Sequence, residues 1–382
     1  MRPCEKRISS VKINQHYSDE LESLKQKSRL RTLISNSGID FSGNDYLSLS
    51  NHPVIIQKLK EALESGIPHG STGSRLLRGN HPVFEEFESY VAEWKNVESS
   101  LIFNSGFDAN VGVLTTLIPE NSIVFSDQFI HASMIDGLKQ NPAKKERFRH
   151  CNYDHLETLL KKYQSDVLPK FIVVESVYSM DGDITDFKSV RFLCEKYGAE
   201  LIVDEAHATG MFGQTGAGIL EETNMMDFPL ITVHTCGKAL GSFGAFVACR
   251  KEVKEFLVNK CRTLIFTTAL SPLNVIATNA AIELQKNMYA ERNHVLNLAD
   301  YFRTEISKSG KYETGNSKSM IVPVIIGSDE DAIRLSEKCK SENLDVRAIR
   351  PPSVPENTSR LRVTFNSSIQ KNDVDKLLDI IS

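Results

Sequence analysis

No run of apolar residues in this 382-residue chain is long enough to span a bilayer. The opening MRPCEKRISSVKINQHYSDE has no apolar core of the kind a secretory leader needs. A soluble, cytoplasmic protein that avoids membranes is expected. A basic surplus is also missing. The 45 Lys and Arg stand against 49 Asp and Glu, a net charge of −4, which argues against a general nucleic-acid binder. Cysteines are few and scattered: Cys4, Cys151, Cys194, Cys236, Cys249, Cys261 and Cys339. They are odd in number and form no C-x-x-C pair, so free thiols are expected rather than a disulfide framework or a zinc site. No G-x-G-x-x-G follows the first strand candidates, which deprives a nicotinamide-binding reading of its phosphate turn. Internal repeats and low-complexity segments are absent too.

What is present is ordinary globular composition, 41% hydrophobic and 25% charged, in a chain long enough for more than one domain. Near the N-terminus, Asp19 is positioned to cap a helix over ELESLKQKSRLRTL. Ser50 or Asn51 can cap a second helix, with Pro53 in its first turn and Gly66 at its exit. A glycine-rich loop, GSTGSRLLRGN, precedes a third helix that places Phe84, Phe87, Val91 and Trp94 on one face. Six short apolar runs then alternate with helical patterns: 100–103, 122–125, 171–177, 200–204, 230–235 and 244–249. Such Val/Ile-rich strands between helices predict an α/β protein with a mostly parallel central sheet covered on both faces. After about residue 290, MIVPVIIG and RLRVTFNSS read as strands, and SDEDAIRLSEKCKSEN and KNDVDKLLDIIS as helices, which suits a smaller C-terminal α/β domain. The expected division is 1–45 as an N-terminal arm, 46–285 as the large domain and 286–382 as the small one.

Four segments carry candidate chemistry, each beginning near where a predicted strand stops, the place where open α/β sheets hold ligands. NSGFDAN (104–110) opens a helix whose unpaired N–H groups suit a phosphate, although a plain tight turn fits equally. DEAHATG (204–210) puts Asp204 at a strand end with His207 three residues on. That carboxylate can pair with a protonated heterocyclic nitrogen, and the imidazole with a phenolate or carbonyl oxygen. A turn-capping Asp beside a surface His is the competing explanation, and no further ligand at metal spacing is evident. VHTCGKALGSFGAF (233–246) sets Lys238 among small residues, where partial desolvation makes an amine a better nucleophile; a surface loop lysine is the alternative. RAIRPPSVPENTSRLRVTF (347–365) is stiffened by Pro351, Pro352 and Pro355, so Arg350 can grip a carboxylate, while Arg347, Arg360 and Arg362 read as solvated or structural. His131 and the VESVYSMDGD run, with Glu175, Ser176 and Ser179, fall near the same cleft.

Taken in order, NSGFxAN, H-A-S, SMDGD, DEAHxTG, T-x-GKALG and AIRPPxVPxxxSRLR resemble the α-oxoamine synthases, a family of fold-type I enzymes dependent on pyridoxal 5′-phosphate (PLP). The resemblance runs from GNDYLSLS to the last helix. It implies a fold-type I PLP-dependent transferase in which Lys238 carries the cofactor covalently, Asp204 meets the pyridine nitrogen, His207 the ring's 3′ oxygen, and His131 stacks over the ring. It also implies Gly106, Phe107, Ser179 and Thr235 as cofactor contacts. Arg350 would hold an amino-acid carboxylate, with Ser353 near the substrate and Arg29 or Arg31 near an acyl group. The family is homodimeric with active sites at the interface, so Thr267 or Thr268 would reach the partner's cofactor phosphate. GKALGSFGAF and AIRPPSVP look most like the members that join L-alanine to pimeloyl-CoA or pimeloyl-acyl-carrier protein in biotin biosynthesis. Other α-oxoamine synthases, a PLP aminotransferase and a silent partner subunit remain open at this point. Ser353 in place of the usual threonine, and Ala208 where glycine or serine is common, are the departures.

Overall fold

A computed structural model describes residues 4–382, with side chains from residue 12 onward. The strands, in chain order, are β1 Ile39–Asp40, β2 Ser99–Phe103, β3 Ile123–Asp127, β4 Lys144–Phe148, β5 Lys170–Glu175, β6 Ala199–Asp204, β7 Ile231–Thr235, β8 Ala245–Cys249, β9 Ile321–Gly327, β10 Leu344–Asp345, β11 Arg347–Ile349 and β12 Ser359–Thr364.

Seven of them form one sheet in the order β2-β8-β7-β6-β5-β3-β4. β8 runs antiparallel to both neighbours, and the other pairs are parallel. All six apolar runs are strands in this sheet. Every residue of β3, β5 and β8 is buried, as expected when helices cover both faces. The alternation of side chains divides the core in two. Ile172, Val174, Leu201 and Val203 face one apolar layer. Phe171, Val173, Ile202 and Val233 face the other, against the helices Gly106–Thr116 and Ala132–Gln140.

The C-terminal part adds an antiparallel sheet, β11-β12-β9, and a parallel pair in which β1 lies beside β10. The N-terminal arm thus joins strands some 300 residues later, and Phe41 carbonyl also accepts from Thr364 N–H at 2.8 Å. The first helix spans Cys4–Gln26, so Asp19 lies inside it, accepting from Gln15 Nε2, and caps nothing. Its exit is a left-handed Ser28 (φ 56°) with Arg29 N–H returning to Leu24 carbonyl, a closure that ends a helix whatever propensity follows. The second helix is capped by His52 rather than Ser50 or Asn51, with Pro53 at its first position. Cys151, Cys194, Cys236, Cys249, Cys261 and Cys339 are free thiols; Cys4's side chain lies outside the described residues. Among the described residues no helix is long and apolar enough to cross a membrane.

Candidate active site

The carboxyl ends of β5, β6 and β7 converge, and each delivers one of the expected residues. Asp204 closes β6 and is 4% exposed. Its Oδ2 accepts from Asn110 Nδ2 at 2.7 Å and its Oδ1 from Ala206 N–H at 2.8 Å. A buried carboxylate needs such donors to keep its charge. Asn110 stands in the Gly106–Thr116 helix, and its Nδ2 also donates to Ser133 Oγ at 3.0 Å, which in turn sits 2.7 Å from His131 Nδ1. One amide therefore links Asp204 to His131, the N-cap of the Ala132–Gln140 helix.

His207 lies one turn beyond Asp204. Its Nδ1 is 2.7 Å from Tyr46 OH, and burial, with Lys238, Arg362 and His131 adding to it, pushes its pKa well down, so the ring is neutral. His131 is lowered as well, by burial first and by Lys238, against the pull of Asp204. Lys238 follows β7 by three residues. Its side chain is half-buried, and desolvation lowers its pKa to about 8, although Asp204 and Glu175 pull it upward. Lys238, Asp204, His207 and His131 are thus electrostatically coupled in one cleft.

Gly106 begins its helix under the Ser105 cap, and a Cβ there would come within 2.5 Å of Thr235 Cγ2. Only glycine lets this helix start approach β7 so closely. Thr235 Oγ1 donates to Ala206 carbonyl, and Phe107 is half exposed beside Gly106. Ser179 is buried in the turn after β5, its carbonyl held at 2.6 Å by Arg362 Nε. Arg362 also reaches Asn44 Oδ1 at 3.0 Å; it is buried rather than solvated, and its charge bears on both His207 and Lys238. Thr267 and Thr268 are tied to the end of β2 through Asn104 Nδ2, and Thr268's side chain is exposed.

Across the cleft, Arg350 donates to Ser28 carbonyl, and Arg31 Nη2 donates to Ser353 Oγ at 3.2 Å. Arg29 is engaged elsewhere, with Nε 2.7 Å from Asp329 Oδ2 and two bonds to Glu356. A cavity bordered by Gln128, Ile130, Arg147, Met180, Ser353 and Val354 lies between the turns that follow β3 and β5 and the proline-rich segment 352–355.

Asn110, Tyr46 and Ser133 escaped sequence reasoning. Asn110 and Tyr46 lie in the quoted NSGFDAN and GNDYLSLS runs, but their partners are 94 and 161 residues away. Asp127, His150 and Cys151 form the one cluster of metal-ligand type among the described residues. Both ring nitrogens of His150 are already taken, by Asp127 Oδ1 at 2.9 Å and Asp183 Oδ2 at 3.0 Å. Burial opposes protonation there, yet the two carboxylates outweigh it and hold the imidazolium to about 12.

The residues fit PLP on their own chemistry. A carboxylate held on both oxygens, a depressed lysine and a glycine-opened helix start share one cleft, and Asn110 Oδ1 and Glu175 Oε1 are buried there without partners. The class is that of the fold-type I PLP enzymes. The aminotransferase class I and II family matches residues 36–381. The chain is 39% identical to a putative 8-amino-7-oxononanoate synthase of Geobacillus kaustophilus (strain HTA426), over 95% of both chains. It is likewise 39% identical to the 8-amino-7-oxononanoate synthase of Chlorobaculum parvum, over 96% of this chain and 97% of that one. Among solved structures it resembles Sphingomonas wittichii serine palmitoyltransferase (TM-score 0.85, 29% identity, 90% of this chain and 86% of that chain). It also resembles 8-amino-7-oxononanoate synthase from Francisella tularensis (TM-score 0.77, 28% identity, 91% and 97%). The chain belongs to the aminotransferase class I and II family and, within it, to the 8-amino-7-oxononanoate synthase group of α-oxoamine synthases.

Proposed function

We propose that this protein condenses L-alanine with a pimeloyl thioester, on CoA or acyl-carrier protein, to give 8-amino-7-oxononanoate, carbon dioxide and free thiol in cytoplasmic biotin biosynthesis. The observation that carries the reading is a Lys238 depressed by burial, in the same cleft as an Asp204 hydrogen-bonded on both oxygens, in a chain so similar to those relatives over nearly its whole length.

PLP, when bound, supplies the electron sink for a carbanion at the amino acid's α-carbon. Lys238 would carry it, with Asp204 at the ring nitrogen, His207 at the 3′ oxygen and His131 over the ring. Gly106, Phe107, Ser179 and Thr235 would serve the phosphate end and the ring edge, and Thr268 the phosphate of the partner subunit. Desolvation brings the Lys238 pKa to about 8, so far more of it is unprotonated near neutrality than of an ordinary lysine, and its amine can take the α-proton of alanine. His207, held neutral with Tyr46 on its Nδ1, is set to hydrogen-bond oxygen rather than to add charge. Arg350 offers its guanidinium to the alanine carboxylate. The cavity past Ser353 accepts the acyl chain, with Arg31 beside it. Arg29 would meet that chain only by exchanging its ion-pair partners Asp329 and Glu356.

A homodimer would complete the site. Leu76, Leu77, Phe107, Phe243 and Phe266 are all exposed. Their loops are neighbours: Ala269 N–H bonds Gly73 carbonyl, and Asn104 bonds Thr267 and Thr268. An apolar patch of this kind suits a partner surface. The division into an arm (1–45), a large domain (46–285) and a small domain (286–382) goes with it, the seven-stranded sheet falling in the second and β9–β12 in the third.

The test is thiol release by the PLP-loaded enzyme across a panel of amino acids and acyl thioesters. Release should be greatest with L-alanine and a pimeloyl thioester. A preference for serine with a long-chain thioester would instead favour the activity named for the palmitoyltransferase neighbours. Lys238→Ala should cut turnover by at least about 10²–10⁴-fold, and near wild-type release would defeat the assignment.

A further inference from the structure

Glu175 closes β5 directly beside Asp204. The two are Cα partners in the parallel β5–β6 pair, so their side chains leave the same face of the sheet on strands roughly 4.8 Å apart. Both are buried, at 3% and 4% exposure. Two anions at that spacing, away from water, cannot both persist. The hydrogen-bond inventory decides which one yields. Asp204 has a donor on each oxygen, Asn110 Nδ2 and Ala206 N–H. Glu175 Oε1 is buried with no partner at all, an arrangement far costlier for a carboxylate than for a neutral acid.

We propose that Glu175 is a proton-bearing positioning residue of the active site, a neutral acid that leaves Asp204 as the sole anion facing the cofactor and denies Lys238 a second carboxylate partner. The surrounding groups agree. Burial and then Asp204 raise the Glu175 pKa well above the carboxylate range, with Asp127 of β3 adding to this, while Lys238 and the His131 backbone N–H pull it down without restoring it. Tyr178, also buried and raised, adds no positive charge. An ionised Glu175 pulls the amine of Lys238 upward, as Asp204 does, and a neutral one relieves that pull and leaves the amine a better base. The same carboxyl lies against the backbone of His131, so it also steadies the helix start that carries that ring. This inference rests on the reading of Lys238 and Asp204 as the cofactor site.

Two variants separate a neutral acid from an anion. In Glu175→Gln holoenzyme, kcat and KM for L-alanine should stay within about threefold of wild type, whereas Glu175→Leu should lower kcat on the order of tenfold to a hundredfold. The pH profile of the cofactor's visible absorbance should be unmoved in E175Q. Infrared spectra of the protein at neutral pH should show a protonated-carboxyl band that E175Q removes and Glu205→Gln, the control for a second glutamate whose pKa burial raises, retains. E175Q impaired as severely as E175L, a shifted absorbance profile, or a band insensitive to E175Q would each overturn the proposal. Should E175Q fail to fold, the E205Q protein decides alone: the band present supports the proposal, the band absent sinks it. Failure of wild-type protein to bind PLP would defeat the cofactor reading while leaving the infrared result to stand.

Discussion

Asn110 uses both hydrogens of its amide at the site, one on Asp204 Oδ2 and one on Ser133 Oγ, and so fixes the orientation of a carboxylate and of His131 together. A leucine of similar volume would leave Asp204 with one donor. Hydrogen bonds to charged groups are worth about 1.5–3 kcal/mol, so Asn110→Leu should weaken PLP binding by roughly ten- to a hundredfold. An absorbance titration measures it, with circular dichroism to confirm the fold; unchanged affinity would show that Asp204 holds its orientation without Asn110. Lys238, Asp204 and His207 are legible in the sequence because six short motifs fall in an order that resembles one family; each run alone fits a plainer role as well. Asn110 and Tyr46 are not legible, because hydrogen bonds across 94 and 161 residues leave no local pattern. Glu175 lay in a quoted run, but its burial without a partner exists only once β5 and β6 are side by side.

At the scale of elements, His150 is a clasp. It follows β4, takes Asp127 from the end of β3 and Asp183 from the turn after β5, and packs edge-on against Tyr178 with ring centroids 4.4 Å apart. In the folded chain its ring keeps a proton up to about 12, against an ordinary 6.5. Its contribution to stability is therefore complete below about 6.5 and fades as pH climbs towards 12. His150→Gln should cost about 3–5 kcal/mol near pH 6, because two carboxylates lose the charge between them, and the gap from wild type should narrow by about pH 9. Urea unfolding at both pH values checks this, and an equal gap at each would contradict it. The strand that carries His150 towards this clasp went unread in the sequence. KKERF shows little apolar signal because β4 is the sheet's edge, with one buried residue in five, and charge is what keeps such an edge from pairing further. The interior strands announced themselves by being apolar on both faces. The first helix was misplaced for a different reason: Asp19 is a good cap by type, but the turn at Ser28 sets where the helix ends.

For the whole molecule, the apolar residues exposed on neighbouring loops around Phe107 and Phe266 predict self-association. Light scattering should give twice the chain mass of 42.8 kDa at micromolar concentration, and Phe266→Glu should shift the protein towards monomer. A monomeric wild type that retains full turnover would dispose of a shared site. The overall architecture was readable because alternating strands and helices admit few topologies. The reversed β8 was not, since an antiparallel strand buried on both sides looks the same in sequence as a parallel one. The pairing of Ile39–Asp40 with Leu344–Asp345 imposes a schedule on biosynthesis. A ribosome adding roughly 5–20 residues per second would release the second half of that ladder about 15–60 s after the first, so the arm must wait unpaired while the large sheet assembles.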